Sequence, residues 1–173
     1  MSNINLYDFI DEIQDFPKKG ILFKDISPLL EDKNAFKLII SKMIQEINNY
    51  KIDLIAGIES RGFLFSTILA HQLNIGSIMI RKPNKLPGNV IEKKYDLEYG
   101  SSTLSLQKKR NLNGKNLLII DDLLATGGTL KCAEDLISEA GGEVVLTMVA
   151  IELNGLKGRE NIKSDVFSIL NYD

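Results

Sequence analysis

Apolar residues recur at helical spacing in the segment 33–49 of this 173-residue chain. Such spacing predicts an amphipathic helix that packs one face on a core, and Asp32 just before the segment is a suitable N-cap. The apolar positions on that face are Phe36, Ile39, Ile40, Met43, Ile44 and Ile47. Residues 60–73 predict a second helix that is apolar on most sides, so we expect other elements to cover it.

Continuous apolar runs alternate with these helical segments. The runs span residues 53–59, 76–82, 116–120 and 144–153, and another helical pattern lies between the last two. Short apolar runs that alternate with helices are typical of a parallel sheet. The pattern therefore predicts an α/β fold with a mostly parallel central sheet flanked by helices, formed by a single domain over residues 1–173.

Residues 83–103 differ in character, because prolines and glycines punctuate a polar stretch. Such punctuation predicts a long excursion or a hairpin. A loop of this length inside a small domain is usually functional or mobile, so we expect this segment to take part in the function of the chain.

The run 116–120 leads into two acids and a glycine–threonine loop. Asp121 and Asp122 follow the run, and residues 125–129 (Ala-Thr-Gly-Gly-Thr) open the next helix. Ligands bind beyond the carboxyl ends of parallel strands, and helix N-termini and glycine amides hold anions. Because carboxylates beside a phosphate site suit sugar hydroxyls or a metal, the segment indicates a sugar phosphate. The alternative is that the acids only end a strand and cap a helix.

Composition and charge narrow the classes of partner and compartment. The formal net charge of −2 does not favour binding to nucleic acid or to an anionic membrane. The single cysteine, Cys132, cannot form an intrachain disulfide and fits a reducing compartment. No signal-peptide pattern and no run of about 20 apolar residues is visible, so we expect a cytoplasmic protein without membrane contact. The only histidine, His71, excludes a multi-histidine metal site, and neither it nor Cys132 is expected to be catalytic.

Residues 118–129 (LIIDDLLATGGT) resemble the signature for 5-phosphoribosyl pyrophosphate (PRPP) of the type I phosphoribosyltransferases, in the form used by the adenine enzymes. Further segments resemble the same family and follow its order. They are residues 16–26 (FPKKGILFKDI), 57–65 (GIESRGFLF), 81–88 (RKPNKLPG), 95–100 (YDLEYG) and 153–160 (LNGLKGRE). The resemblance implies the type I phosphoribosyltransferase fold, with a small hood from about residues 1–30 and 153–160 and a flexible catalytic loop over about residues 83–103.

The resemblance also implies a reaction and its participants. The 5-phosphoribosyl group of PRPP would pass to adenine, giving AMP and pyrophosphate in purine salvage, in a homodimer that uses Mg²⁺. We expect PRPP, pyrophosphate and water to hold the Mg²⁺, with no certain protein ligand. Two alternatives stay open: a phosphoribosyltransferase for another purine base (hypoxanthine, guanine or xanthine), and a non-catalytic PRPP-binding regulator. The regulator would need a DNA-binding module, for which we expect no room in 173 residues with net charge −2.

The roles of single residues follow from the resemblance, position by position. The ribose phosphate of PRPP or AMP is expected at Asp121, Asp122, Leu123, Ala125, Thr126, Gly127, Gly128 and Thr129. Pyrophosphate is expected at Arg61, Arg81, Lys85 and Tyr99, and adenine at Leu22, Phe23, Lys24 and Leu153. As the catalytic residue, Glu98 is expected to assist proton movement at adenine N7. Ordinary alternatives are a solvated charge for each basic residue, a core aromatic for Phe23, and an outward-facing hairpin residue for Glu98.

Overall fold

The computed structural model describes residues 4–97 and 100–173. The chain divides into two units, one that runs to Met43 and one that begins at Ile44. The elements of the first unit are the antiparallel strands β1 (Asp11–Gln14) and β2 (Leu22–Asp25), helix α1 (Ser27–Glu31) and the start of α2 (Lys33–Ile47).

Helix α2 forms where the apolar spacing predicts it. Its first turn is capped by Asp32, whose Oδ1 accepts hydrogen bonds from the amides of Asn34 and Ala35 at 2.9 and 2.8 Å. The predicted N-cap is therefore confirmed, since the carboxylate satisfies amides that a helix start leaves unpaired. The apolar positions Ile39 and Met43 are fully buried. With 15 residues α2 is the longest helix of the described chain, and no helix there is long and apolar enough to cross a membrane.

The second unit is built on a parallel sheet of five strands. Its elements are β3 (Leu54–Ile58), α3 (Gly62–Leu73), β4 (Gly76–Ile80), β5 (Val90–Leu97), β6 (Gly100–Gln107), β7 (Asn116–Leu124), α4 (Gly128–Glu139), β8 (Glu143–Leu153) and β9 (Asp165–Tyr172). The strand order in the sheet is β4-β3-β7-β8-β9, and every neighbouring pair is parallel. The predicted fold class, a parallel central sheet flanked by helices, is confirmed.

Strand β7 lies in the middle of this sheet. Its residues Leu117, Leu118, Ile119 and Ile120 are fully buried, as expected for a central strand that is covered on both faces. Helix α4 packs Leu130, Ala133, Leu136 and Ile137 into one core with Leu117 and Ile119 of the strand. Each large apolar side chain contributes about 1.5–3 kcal/mol by leaving water, so this core holds the end of β7 and the start of α4 in a fixed relation.

One part of the second unit matches a predicted alternative, and another part was not predicted. The segment 83–103 contains most of an antiparallel hairpin, β5–β6, whose second strand continues to Gln107 and buries Leu104 and Leu106. Strand β9 was not predicted. It follows β8 without an intervening α-helix, because two 3₁₀ turns (Asn154–Leu156 and Gly158–Asn161) make the connection.

Candidate active site

The carboxyl ends of β3, β4 and β7 meet at one edge of the parallel sheet, where open α/β folds bind their ligands. A cavity of about 230 Å³ lies there, beside the end of β7. It is lined by Arg61 and by residues 121–130. The structure therefore brings Arg61 together with every residue that the resemblance assigns to the ribose phosphate.

Strand β7 extends further than its apolar run. It continues to Leu124 instead of ending at Ile120, because it keeps pairing with β8. Successive side chains of a strand point to opposite faces, so Asp122 is buried while Asp121 is partly exposed. The two neighbouring acids consequently meet different surroundings.

The segment that we call the β7–α4 loop (residues 125–129) turns the chain from the strand into the helix. Gly127 has φ +83°, in the left-handed region that favours glycine. Helix α4 begins at Gly128, so Gly128 and Thr129 belong to its first turn rather than to the turn before it. The first amides of a helix have no partner within it and carry the positive end of its dipole. The loop therefore presents an anion-binding terminus.

Asp122 forms an ion pair with Arg61, whose Nε lies 2.9 Å from Oδ2. The contact is electrostatic, because no hydrogen bond reaches this buried oxygen from the residues that the structure describes. Gly62 lets α3 begin against β7, since a Cβ there would lie 2.5 Å from the carbonyl oxygen of Ile120. Although Asp121 as a whole residue is partly exposed, burial of its carboxyl group and the neighbouring Asp122 carboxylate raise its pKa well above the ordinary value. A hydroxyl donor or a cation beside Asp121 would therefore favour its charged form.

We expect Asp121→Asn to raise the melting temperature at neutral pH. The raised pKa of Asp121 means that the folded protein holds this proton more tightly than the unfolded chain. Ionisation of Asp121 therefore lowers stability as the pH rises above the ordinary aspartate pKa of about 3.9. The gain in the variant should vanish in acid and grow from about pH 4 upward, as thermal unfolding across pH would measure.

Asp135→Asn is the matched control for this prediction. Asp135 lies on α4, with one oxygen 3.6 Å from Lys93 Nζ and the other 3.3 Å from Lys163 Nζ. Because its carboxylate has cationic partners, its loss should bring no gain in melting temperature. An Asp121→Asn variant that is no more stable than the wild type at any pH would contradict the prediction.

Strands β3 and β4 place Glu59 against Arg81. Arg81 Nε and Nη2 donate to the two carboxylate oxygens of Glu59 at 3.1 and 3.2 Å, and the Lys82 amide donates to one of them at 3.0 Å. Burial alone would raise the pKa of Glu59, but these hydrogen bonds hold it below its ordinary value. Arg81 Nη1 also donates to the carbonyl of Lys85 at 3.0 Å. Sequence reasoning missed Glu59, whose only signal was its place at the end of a predicted strand.

The residues predicted to bind adenine lie in different units. Leu22, Phe23 and Lys24 belong to β2 in the first unit, and Leu153 ends β8 in the second. Phe23 meets Phe16 edge to face, with ring centroids 5.0 Å apart. Lys24 is buried and forms an ion pair with Glu12 of the neighbouring strand β1. Because the Lys24 ammonium group is paired with Glu12, any contact of Lys24 with adenine would be made by its main chain.

The remaining residues considered from the sequence are Glu98, Tyr99, Cys132 and His71. Glu98 and Tyr99 lie outside the described residues. Cys132 is packed in the core, and burial raises the pKa of its thiol to about 11, so the thiol stays protonated. His71 is exposed in the last turn of α3. Within residues 4–97 and 100–173, no three histidine, cysteine or acidic side chains cluster as a metal site.

This chain is similar in sequence and fold to known proteins. A family model described as phosphoribosyl transferase domain matches residues 28–173. A protein of Halothermothrix orenii named adenine phosphoribosyltransferase is 51% identical, covering 96% of this chain and 99% of its own. The crystal structure of adenine phosphoribosyltransferase from Thermoanaerobacter pseudethanolicus has a TM-score of 0.94 and 42% identity, covering 96% of this chain and 98% of that chain. The Saccharomyces cerevisiae enzyme, complexed with an imino-altritol bisphosphate and adenine, has a TM-score of 0.91 and 36% identity, covering 95% and 96%.

Proposed function

Since this chain belongs to the adenine phosphoribosyltransferases, within the phosphoribosyl transferase domain family, we propose that it is an enzyme of purine salvage. It transfers the 5-phosphoribosyl group of PRPP to adenine and gives AMP and pyrophosphate. The observation that carries this function is the cavity at the end of β7, where an anion-binding loop, two carboxylates and Arg61 meet. PRPP carries a phosphate, ribose hydroxyls and a leaving pyrophosphate, which are the groups that those residues suit.

The ribose phosphate is proposed to bind along the end of β7. The amides of the β7–α4 loop and the hydroxyls of Thr126 and Thr129 would donate to the 5-phosphate. Asp121 and Asp122 would accept from the 2- and 3-hydroxyls, beside Leu123. As the bond between ribose and pyrophosphate breaks, the ring gains oxocarbenium character, and carboxylates beside it favour that positive charge.

The leaving pyrophosphate is proposed to meet Arg61, Arg81, Lys85 and Tyr99. Arg61 opens α3 beside the cavity and keeps 36% of its side chain exposed, which supports a contact with a ligand there. Mg²⁺ would be held by PRPP, pyrophosphate and water, and the nearby carboxylates of Asp121 and Asp122 are of the oxygen type that it takes. When bound, Mg²⁺ supplies charge neutralisation for the departing pyrophosphate.

Adenine is proposed to contact Phe23 and Leu153 through apolar surface, and the main chain of Leu22 and Lys24 through its polar edge. These assignments rest on the resemblance of residues 16–26 and 153–160 to the adenine enzymes. Adenine N9 attacks C1 of the ribose as the C1–O bond to pyrophosphate breaks. Adenine must lose one ring proton as N9 bonds to C1, and Glu98 is proposed to handle that proton at N7.

We further propose that the protein is a homodimer in the cytoplasm. Leu64 on α3 and Met79 on the edge strand β4 are exposed apolar side chains, 42% and 48% accessible. Apolar surface at an unpaired sheet edge supports association with a second copy. The free, protonated Cys132 supports a reducing compartment.

Catalytic efficiency should favour adenine over hypoxanthine and guanine. A site that hydrogen-bonds one polar edge leaves groups unpaired with another base, and each unpaired group costs about 1–3 kcal/mol, roughly 5- to 150-fold in kcat/KM. The assay combines PRPP, Mg²⁺ and each purine base and follows release of pyrophosphate. Reactions without a base, and reactions with Mg²⁺ chelated, are the controls.

The outcomes separate this function from its alternatives. Comparable kcat/KM values for all three bases would contradict the adenine assignment, and a preference for another purine would replace it. PRPP binding without release of pyrophosphate from any base would instead indicate a PRPP-binding regulator.

A further inference from the structure

The 3₁₀ turn Gly158–Asn161, which we call the Gly158 turn, lies against the β7–α4 loop. A Cβ added to Gly158 would collide with the carbonyl oxygen of Ala125 and come within 2.9 Å of the amide nitrogen of Gly127. Likewise, a Cβ added to Gly127 would collide with the carbonyl oxygen of Gly158. The two backbones therefore touch at a pair of glycines, and only glycine leaves room for the contact.

A side chain of the same turn holds the loop through a hydrogen bond. Asn161 Nδ2 donates to the carbonyl oxygen of Thr126 at 2.9 Å. In a trans peptide the carbonyl and the next amide point in opposite directions. Since the turn contacts the carbonyl of Ala125 and donates a hydrogen bond to that of Thr126, we infer that the amides of Thr126 and Gly127 point away from it. A flipped peptide would present carbonyl lone pairs to an anion, and the bond from Asn161 opposes that flip.

The turn itself is fastened to the sheet by Arg159. Arg159 Nε and Nη2 donate to the two carboxylate oxygens of Glu152 on β8 at 3.0 and 2.5 Å, and Nη1 donates to the carbonyl of Val166 on β9 at 2.6 Å. Glu152 is buried, and its hydrogen bonds from Arg159 hold its pKa below the ordinary value. Ser168 Oγ on β9 donates to the same carboxylate at 2.7 Å. A charged network therefore fixes the turn to two strands of the sheet.

We propose that Gly158 and Asn161 are positioning residues for PRPP, which hold the β7–α4 loop with its amides directed toward the 5-phosphate. Arg159 and Glu152 anchor the turn that carries them. This inference rests on the proposed function, because it requires that loop to bind the phosphate. None of the four residues needs to touch PRPP, so their effect acts through the loop on PRPP affinity.

Two alanine variants of the turn test the proposal, each with a matched control. Gly158→Ala adds the colliding Cβ, whereas Gly155→Ala adds one whose nearest neighbour lies 3.8 Å away, in ordinary contact. Asn161→Ala removes the bond to Thr126, whereas Asn111→Ala removes a bond to the Asn113 amide before the start of β7, at the far end of that strand from the loop. The measurements are the PRPP dissociation constant by calorimetry with Mg²⁺, steady-state kinetics and the melting temperature.

We expect Asn161→Ala to raise the Kd and KM for PRPP roughly 3- to 10-fold, the range for one hydrogen bond. Gly158→Ala should raise them by more, because it moves the loop backbone itself. The kcat of both variants should change little, since the 5-phosphate is bound alike before and during the reaction. Gly155→Ala and Asn111→Ala should keep the PRPP affinity of the wild type.

Each result either supports or overturns the proposal. Unchanged PRPP affinity in Asn161→Ala and Gly158→Ala, with or without a lower melting temperature, would show that the turn supports only the fold. Asn161→Ala decides the matter if Gly158→Ala does not fold, because Asn161 is exposed. Gly127→Val is measured alongside. If Gly127→Val loses PRPP binding while the turn variants keep it, only the proposal about the turn is overturned. If Gly127→Val also keeps PRPP binding, the assignment of the phosphate to the β7–α4 loop is overturned as well.

Discussion

Replacing Gly127 by valine should raise the PRPP dissociation constant by roughly 10²–10⁴-fold, with a modest loss of thermal stability. Gly127 has φ +83°, which a β-branched residue rarely adopts, and its Cβ would collide with the carbonyl oxygen of Gly158. The loop must shift, and its amides then lose the phosphate. Two charge-assisted hydrogen bonds, each about 1.5–3 kcal/mol, account for the expected loss. Calorimetry with PRPP and Mg²⁺ measures the affinity directly.

Gly114→Val is the matched control for backbone strain. Gly114 has φ +67°, and a Cβ there would meet no atom within 4 Å. It precedes β7, at the end of the strand remote from the β7–α4 loop. This variant should lose stability through its dihedral angle but keep the PRPP affinity of the wild type. Equal affinity losses in both variants would contradict a local effect at the loop, and unchanged affinity in Gly127→Val would place the phosphate elsewhere.

The strands that form the centre of the sheet could be predicted because their signal is local. A parallel strand covered on both faces needs apolar side chains throughout, as in residues 117–120, and a crossover helix usually separates it from the next parallel strand. The β7–α4 loop is equally local, because its glycines, threonines and acids follow one another along the chain. The fold class and the cavity-lining segment therefore follow from the order of residues alone.

Strand β9 could not be predicted, because it has no local signal in the sequence. It lies at the edge of the sheet, and of its described residues Leu170 alone is buried, so no continuous run of buried apolar residues marks it. The connection from β8 contains 3₁₀ turns and no α-helix. The alternation of strand and helix that reveals the other parallel strands is thus missing.

The ion-pair partners of the charged site residues could not be predicted either, because they depend on which strands become neighbours in the sheet. Arg61 meets Asp122 only because β3 pairs with β7, and Arg81 meets Glu59 because β4 pairs with β3. Both arginines were predicted to bind pyrophosphate from their sequence context. The structure adds that each already has a carboxylate partner, which fixes its position before any ligand binds. Strand order is a property of the whole fold and leaves no periodic signal in either segment.

Glu98→Gln should lower kcat by roughly 10²–10⁴-fold, because it removes the group proposed to move a proton at adenine N7. The affinities for PRPP and adenine and the melting temperature should change little, since glutamine keeps the size of the side chain. The pH profile of kcat should also lose one limb, because the titrating group is gone. Steady-state kinetics across pH, with PRPP and adenine each varied, measures all of these quantities.

Glu92→Gln, on strand β5, provides the matched control. Glu92 is an exposed residue of β5 whose Oε1 accepts a hydrogen bond from Ser105 Oγ at 3.0 Å. The same substitution there should leave kcat and its pH profile close to those of the wild type. If Glu98→Gln instead raises the KM for PRPP while kcat holds, Glu98 contributes uniform binding, as a residue that closes the loop over PRPP would, and takes no part in proton transfer. Normal turnover with both variants would remove Glu98 from the catalytic machinery, because proton transfer at N7 cannot survive the loss of the group that performs it.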